Sequence, residues 1–331
     1  MTKPKREVVV VTGASKGVGR AIAERFARDQ ADVALLARGR VGLDGAARAV
    51  ERLGGRALAL PTDVADYDAV DAAASAVEEA FGPIEIWVND AMTTVFAFFD
   101  DIDPDEYRRA TEVTYLGTVW GTHAALKRML PRNRGTIVQV GSAMAYRGIP
   151  LQSPYCGAKH AIKGFWESVR TELKHRDANI HMPMVQLPGL NTPQFDHCRS
   201  KLPRKPMPVP PIYQPELAAQ AVHYAAHHRH RRQLYVGAPT VYTILGERLA
   251  PWLGDWYMAK TGVDSQLTPQ HIEPPRPGNL FQPIDTDPGA HGDFDQQAHH
   301  HSPVLWLSRH RATLATLAAT AAALAAATVH R

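Results

Sequence analysis

Four consecutive valines, Val8-Val9-Val10-Val11, run directly into Thr12-Gly13-Ala14-Ser15-Lys16-Gly17-Val18-Gly19. A helical apolar pattern of Ala21, Ile22, Phe26 and Ala27 follows. The β-branched run reads as a short strand buried on both faces. Strand, glycine-rich turn and helix in that order form the opening unit of a parallel sheet, a context the glycines need to carry meaning. Glycines at such a turn let the backbone approach a pyrophosphate, whose charge the helix N-terminus favours. Gly13, Ser15, Lys16, Gly17, Val18 and Gly19 are therefore candidate cofactor-binding residues.

The alternation continues along the chain. Residues 32–37, 57–60 and 84–88 read as strands, with helices expected over 42–53 and 66–81. Strands and helices joined by short links predict an α/β fold, a doubly wound parallel sheet of the Rossmann kind. Sites on such sheets lie beyond the carboxyl ends of the strands. Arg38, the pair Asp63-Val64 and the run Asn89-Asp90-Ala91-Met92 all stand at such ends. A carboxylate at the end of the second strand usually binds the ribose 2′-hydroxyl of NAD. Here that place holds Arg38, with Arg40 close by and Lys16 in the turn. These cations suit a 2′-phosphate, so NADP(H) is expected in preference to NAD(H). A sixth strand is expected near residues 179–186, where Pro183 removes a backbone donor. A bulge or a late strand start is expected there.

A second constellation is Ser142 followed by Ser153-Pro154-Tyr155-Cys156-Gly157-Ala158-Lys159. Residues four apart lie one turn along the same helix face, which brings the Lys159 ammonium near the Tyr155 phenol. A phenol titrating near 10 is a poor acid–base catalyst at neutral pH, and a nearby positive charge lowers its pKa. A serine hydroxyl arriving from a preceding strand can hydrogen-bond a substrate carbonyl or its developing oxyanion. These parts suit hydride transfer at a carbonyl carbon, with Tyr155 moving the proton.

In their order and separation, these motifs resemble those of the short-chain dehydrogenase/reductase family. The resemblance rests on Thr12-Gly13…Gly17…Gly19, Asp63-Val64, Asn89-Asp90-Ala91, Ser142, Tyr155…Lys159 and Leu187-Pro188-Gly189…Thr192, and covers about residues 6–240. It implies Tyr155 as general acid or base, Ser142 holding the substrate oxygen, and Lys159 lowering the Tyr155 pKa while binding the nicotinamide ribose. It further implies that Asp63 binds the adenine amino group. Asn89 and Ala91 would line the cofactor near its adenosine and ribose, and Pro188, Gly189 and Thr192 would contact its nicotinamide end. Two departures stand out. The family's relay asparagine, which holds a water, is replaced by Thr114, whose hydroxyl is shorter and differently directed. The usual Asn-Asn-Ala-Gly is Asn89-Asp90-Ala91-Met92, which adds a carboxylate of unknown partner and an apolar side chain near the pocket.

Candidate pocket residues are Met92, Val95, Phe96, Met144, Tyr146, Leu151 and Gln152, mostly apolar, which favours a hydrophobic alcohol or ketone. Residues 194–213 fall where the family carries its substrate lid, and their prolines suggest a stiff path. The expected organisation is a catalytic domain over 1–240 and a helical extension over 241–272 carrying Trp252, Trp256 and Tyr257. A Pro/Gly-rich linker over 273–303 and an Ala-rich helix over 304–331 complete it. The uncharged run 312–329 is borderline for spanning a bilayer, which takes about 20 apolar residues. Alanine and threonine add little insertion energy, so a soluble or self-associating helix and a membrane tether both stay open. A net charge of +4 over 331 residues gives no case for nucleic acid. The basic cluster 227–232 suits the end of a helix. Cys156 and Cys198 lack metal-like spacing or a disulfide framework, so no metal and a reducing, cytoplasmic setting are expected. The expected partners are a small alcohol or ketone and further copies of the chain. The alternative is a nucleotide-binding scaffold without turnover, against which the intact Ser142, Tyr155 and Lys159 argue.

Overall fold

The computed structural model describes residues 6–276, 278–311 and 316. Seven strands form the body of the main sheet. They are β1 (Val8–Thr12), β2 (Asp32–Ala37), β3 (Arg56–Pro61), β4 (Ile86–Asn89), β5 (Gly135–Ser142), β6 (Met184–Leu187) and β7 (Gln233–Tyr235). All pair in parallel, in the order β3-β2-β1-β4-β5-β6-β7. The helices are α1 (Gly17–Ala27), α2 (Arg40–Arg52), α3 (Tyr67–Phe81), α4 (Pro104–Thr111), α5 (Gly117–Met129), α6 (Ser153–His175) and α7 (Pro215–His227). The strand order reverses between β1 and β4, and a crevice opens there at the carboxyl edge.

The valine run explains the layering. Val9 and Val11 join Ile22, Phe26 and Val222 in one core, on the side of α1 and α7. Val8 and Val10 point the other way, to Val77, Met129, Ile162 and Trp166. Period-two alternation thus feeds two cores from one strand. Pro183 has the expected effect. Residues Ile180–His181 pair with β5 as a separate stub, and β6 begins only at Met184. The carbonyl of Pro183 still accepts from the Gln139 N–H at 2.9 Å, so only the donor side of the ladder is interrupted.

Beyond β7 the chain forms two further helices, α8 (Ala238–Leu249) and α9 (Pro251–Thr261). The stretch expected to be a linker is instead docked on the domain. Arg276 bridges to Ser200, and Ala298–His299 pairs with Ile212–Tyr213. Leu280 and Phe294 are buried, so apolar contact as well as backbone pairing holds this segment down. Most of 312–331 lies outside the described residues, and with it the tether question. Among the described residues no helix is long and apolar enough to cross a membrane.

Candidate active site

The glycine turn starts where β1 ends. Gly13 (φ 73°) and Gly17 (φ 58°) hold left-handed backbone that a side chain would strain. A Cβ on Gly19 would lie 2.4 Å from the Gly13 carbonyl oxygen, so this turn closes only on a hydrogen. Thr12 fastens it to the next motif, its hydroxyl accepting from the Asp90 and Ala91 N–H groups at 3.0 and 3.1 Å. The carboxylate of Asp90 accepts from the Gly19 backbone and faces Lys159. The partner of this carboxylate is therefore Lys159 together with the helix N-terminus.

Ser142 ends β5, and its Oγ accepts from the Met144 N–H at 3.1 Å. Its own proton is then available to donate. Tyr155 and Lys159 sit on the first turns of α6, with Lys159 Nζ 5.5 Å from the Tyr155 ring centroid. Nζ donates to the Val140 carbonyl at 2.7 Å. Burial pushes the Tyr155 phenol above its ordinary value, against a hydrogen bond with Ser142 that lowers it. This departs from the sequence expectation of a depressed phenol, because in this cleft desolvation outweighs the other influences. Burial also lowers Lys159 to about 8, with Asp90 acting to hold its charge. Asp90 itself is pushed up to about 7 by the same desolvation, opposed by Lys159.

Not every candidate reaches the cleft. Asn89 faces inward, accepting from Trp87 Nε1 at 2.9 Å and donating to Thr122 at 3.0 Å and Gln139 at 3.1 Å. Its amide is spent in a buried network, while Asp90, Ala91 and Met92 after it line the cleft. Thr114 lies in a π-helical turn, Glu112–Leu116, and is fully buried. Its hydroxyl donates to the Thr93 carbonyl at 2.8 Å and accepts from the Thr93 N–H at 3.0 Å. It clamps backbone rather than lining the cleft. Tyr146 turns away as well, its hydroxyl accepting from Gln233 Nε2 at 2.9 Å. Val95, Phe96 and Leu151 are buried in small clusters beside the cleft.

Met92, Met144, Gln152, Pro188, Gly189 and Thr192 do line the cleft, with Ser15, Val18, Asp63 and Val64. The lid expected at 194–213 closes over it, with Gln194, Phe195 and residues 207–210 in the lining. Arg204–Pro206 pairs antiparallel with Leu267–His271, which pins the lid to the extension. Tyr242, Tyr257 and Met258, from α8 and α9, complete the wall, and sequence reasoning placed them only as a general cover.

The adenosine half carries a feature that no motif announced. Residues 279–289, hereafter the strap, cross the ends of β1 and β2. Arg38 donates to the carbonyls of Asn279, Leu280 (3.2 Å) and Phe281 (2.9 Å). Gly17 N–H donates to the Gly289 carbonyl at 3.0 Å. Asn279, with its amide oxygen turned to Lys16, accepts from Nζ at 2.9 Å. Burial there lowers Lys16 to about 8. Asp63 is held by Arg109 at 2.5 Å, and Arg109 also reaches the Leu280 carbonyl at 3.4 Å. Arg20, itself buried, joins Asp287 at 3.2 Å and the Gly45 carbonyl at 2.8 Å. At the far end His291 bridges Glu216 (2.7 Å) and Asp295 (2.9 Å).

A glycine turn carrying Lys16, Arg38 at the end of the second strand and a serine–tyrosine–lysine set around one cleft define a nicotinamide-dependent oxidoreductase. Residues 7–202 match the family model for short chain dehydrogenase. The chain belongs to the short-chain dehydrogenase/reductase family. An uncharacterized oxidoreductase of Bacillus subtilis, YxnA, is 32% identical over 281 residues, covering 84% of this chain and 77% of that one. The 3-dehydrosphinganine reductase of Danio rerio is 32% identical over 192 residues, 56% of this chain and 57% of that one. The human 17-beta-hydroxysteroid dehydrogenase 13 is 33% identical over 168 residues, 51% of this chain and 56% of that one. The chain thus spans little more than half the length of these last two relatives. Among solved structures, a short chain dehydrogenase/reductase from Burkholderia phymatum in complex with NAD superposes with a TM-score of 0.68 at 20% identity, covering 77% of this chain and 97% of that one. An alcohol dehydrogenase from Thermococcus sibiricus complexed with 5-hydroxy-NADP gives 0.59 at 24% identity, covering 70% and 96%. These two likenesses show the fold.

Proposed function

We propose that this protein interconverts a carbonyl and a secondary alcohol on an apolar substrate, with NADP(H) as the preferred cofactor. The observation that carries the reading is the meeting, in one cleft, of the Ser142–Tyr155–Lys159 set with the cations Lys16 and Arg38. The turn fits a dinucleotide, because its glycines leave bare backbone beside the N-terminus of α1. Bound there, the cofactor would supply or accept the hydride. Three of the five N–H donors of Arg38 go to strap carbonyls, so two remain for a 2′-phosphate beside Lys16. In reduction, Tyr155 gives its proton to the substrate oxygen while the Ser142 hydroxyl donates to the same atom. The Lys159 charge then stabilises the tyrosinate left behind, and the Val140 carbonyl holds Nζ in place. Apolar groups from Met92, Met144, Leu187, Met207 and Met258 support an apolar substrate. Two relatives carry names for such chemistry, a 3-dehydrosphinganine reductase and a 17-beta-hydroxysteroid dehydrogenase.

Titrating NADPH and NADH separately into the purified protein, read by nicotinamide fluorescence, tests the cofactor assignment. Tight NADPH with weak NADH binding is the expected result. Equal affinities would sink the 2′-phosphate role of Lys16 and Arg38, and no binding of either would sink the enzyme reading.

A further inference from the structure

The α8–α9 hairpin is apolar on the outside. Leu249 is 82% exposed, Trp252 70%, Tyr242 57%, Trp256 55%, Tyr257 53% and Leu253 47%. Helix α9 buries none of its residues. Scattered exposed apolar side chains are ordinary, but a contiguous group of this size marks an interaction surface. We propose that this hairpin docks on an anionic lipid surface and holds the mouth of the catalytic cleft against it.

Three observations favour lipid over a second copy of the chain. First, Tyr242 and Tyr257 belong both to the exposed patch and to the cleft lining, so the patch adjoins the cleft on that side. A protein partner seated there would close the way in, whereas a lipid surface is itself a reservoir of apolar molecules. Second, the charges are sorted. Glu247 and Asp255 are both spent on Arg147, at 2.9 and 2.6 Å. Arg248 and Lys260 have no carboxylate partner among the described residues, so Arg147, Arg248 and Lys260 against Glu247 and Asp255 leave the region one positive charge in excess. Lys260 Nζ lies 4.2 Å over the Trp256 ring, with its stem along apolar surface and its charge at the edge. Tryptophan and tyrosine with flanking cations are the composition of a membrane-interface element. Third, a further helix begins at Pro303. That helix exposes Trp306 and Leu307, and the uncharged stretch 312–329 follows it in sequence.

The proposal rests on the apolar-substrate reading for its purpose, but docking can be read without turnover. The full-length protein is floated on a density gradient, without substrate, with vesicles of phosphatidylcholine alone or mixed with phosphatidylglycerol. Flotation with the mixed vesicles and little with the neutral ones is expected. The variant L249S/W252S/L253S, altered only at exposed positions outside the cleft lining, should lose at least about tenfold in bound fraction. It should retain NADPH binding, which shows that it folds. R248E/K260E should lose the preference for the anionic vesicles. Flotation of the triple variant at the native level would overturn the proposal, by assigning binding to another part of the chain. So would failure of the native protein to float, and so would a native oligomer that light scattering shows dissociating in the triple variant without any lipid effect.

Discussion

The two halves of the cleft are built by different means. The catalytic half is assembled from neighbours in sequence: Ser142 at a strand end, Tyr155 and Lys159 one helical turn apart. The adenosine half is closed by a strap more than 240 positions downstream of the side chain it covers, as with Arg38 and the Phe281 carbonyl. The first half lies within the span matching the family model, residues 7–202, and the strap lies outside it. The Ser142–Tyr155–Lys159 set is local and lies within the family's span, while the cover over Lys16 and Arg38 is supplied by the chain's own extension.

The sharpest test of the catalytic half is Tyr155→Phe. Turnover should fall by about 10²–10⁴-fold, the usual worth of a positioned general acid, with NADPH affinity retained in a fluorescence titration. Loss of both together would mean that the tyrosine is structural. On the adenosine side, Arg38→Asp should weaken NADPH by roughly 10–100-fold, since a hydrogen bond to a charged group is worth about 1.5–3 kcal/mol. NADH should change far less, and amide exchange across 279–281 should quicken as the strap carbonyls lose their donor. An equal loss for both cofactors would assign Arg38 to the strap alone.

Asp90 joins the two halves, and Asp90→Asn probes that junction. Its carboxylate holds up the charge of Lys159, which burial has already lowered to about 8. Without it the lysine loses its proton at lower pH. The alkaline limb of the kcat/KM profile should therefore move towards acid by about one unit, the scale of one partly screened charge pair. A limb that stays in place would separate Lys159 from the observed titration. The smallest effect is expected from Asp287→Ala, which removes the Arg20 contact at 3.2 Å. NADPH release in stopped flow should quicken a few-fold, with kcat/KM nearly unchanged, since a single partly exposed ion pair is worth ~1 kcal/mol or less.

Legibility followed the same division. The first strand, the glycine turn and the Tyr155–Lys159 pair were readable because local spacing determines them. Pro183 announced the broken sixth strand because a missing donor is a property of one residue. Asn89 was misplaced because a polar side chain at a strand end can bond outward to a ligand or inward to Trp87, Thr122 and Gln139, and spacing does not choose. Thr114 was placed at the right turn, but its bonds to the Thr93 backbone depend on a π-helical register that sequence periodicity does not show. The strap was read as a linker because proline, glycine and aspartate do signal irregular chain. Composition says nothing of where such chain lies down.

Helix α2 shows how narrow the strap's seat is. A Cβ on Gly45 would stand 1.8 Å from an oxygen of Asp287. That position is thus sterically coupled to a residue far along the chain. Relatives bearing a side chain at the equivalent of residue 45 should lack the opposing carboxylate or route their extension elsewhere. One column of an alignment would then sort family members into those whose tail lies across the first two strand ends and those whose tail runs elsewhere.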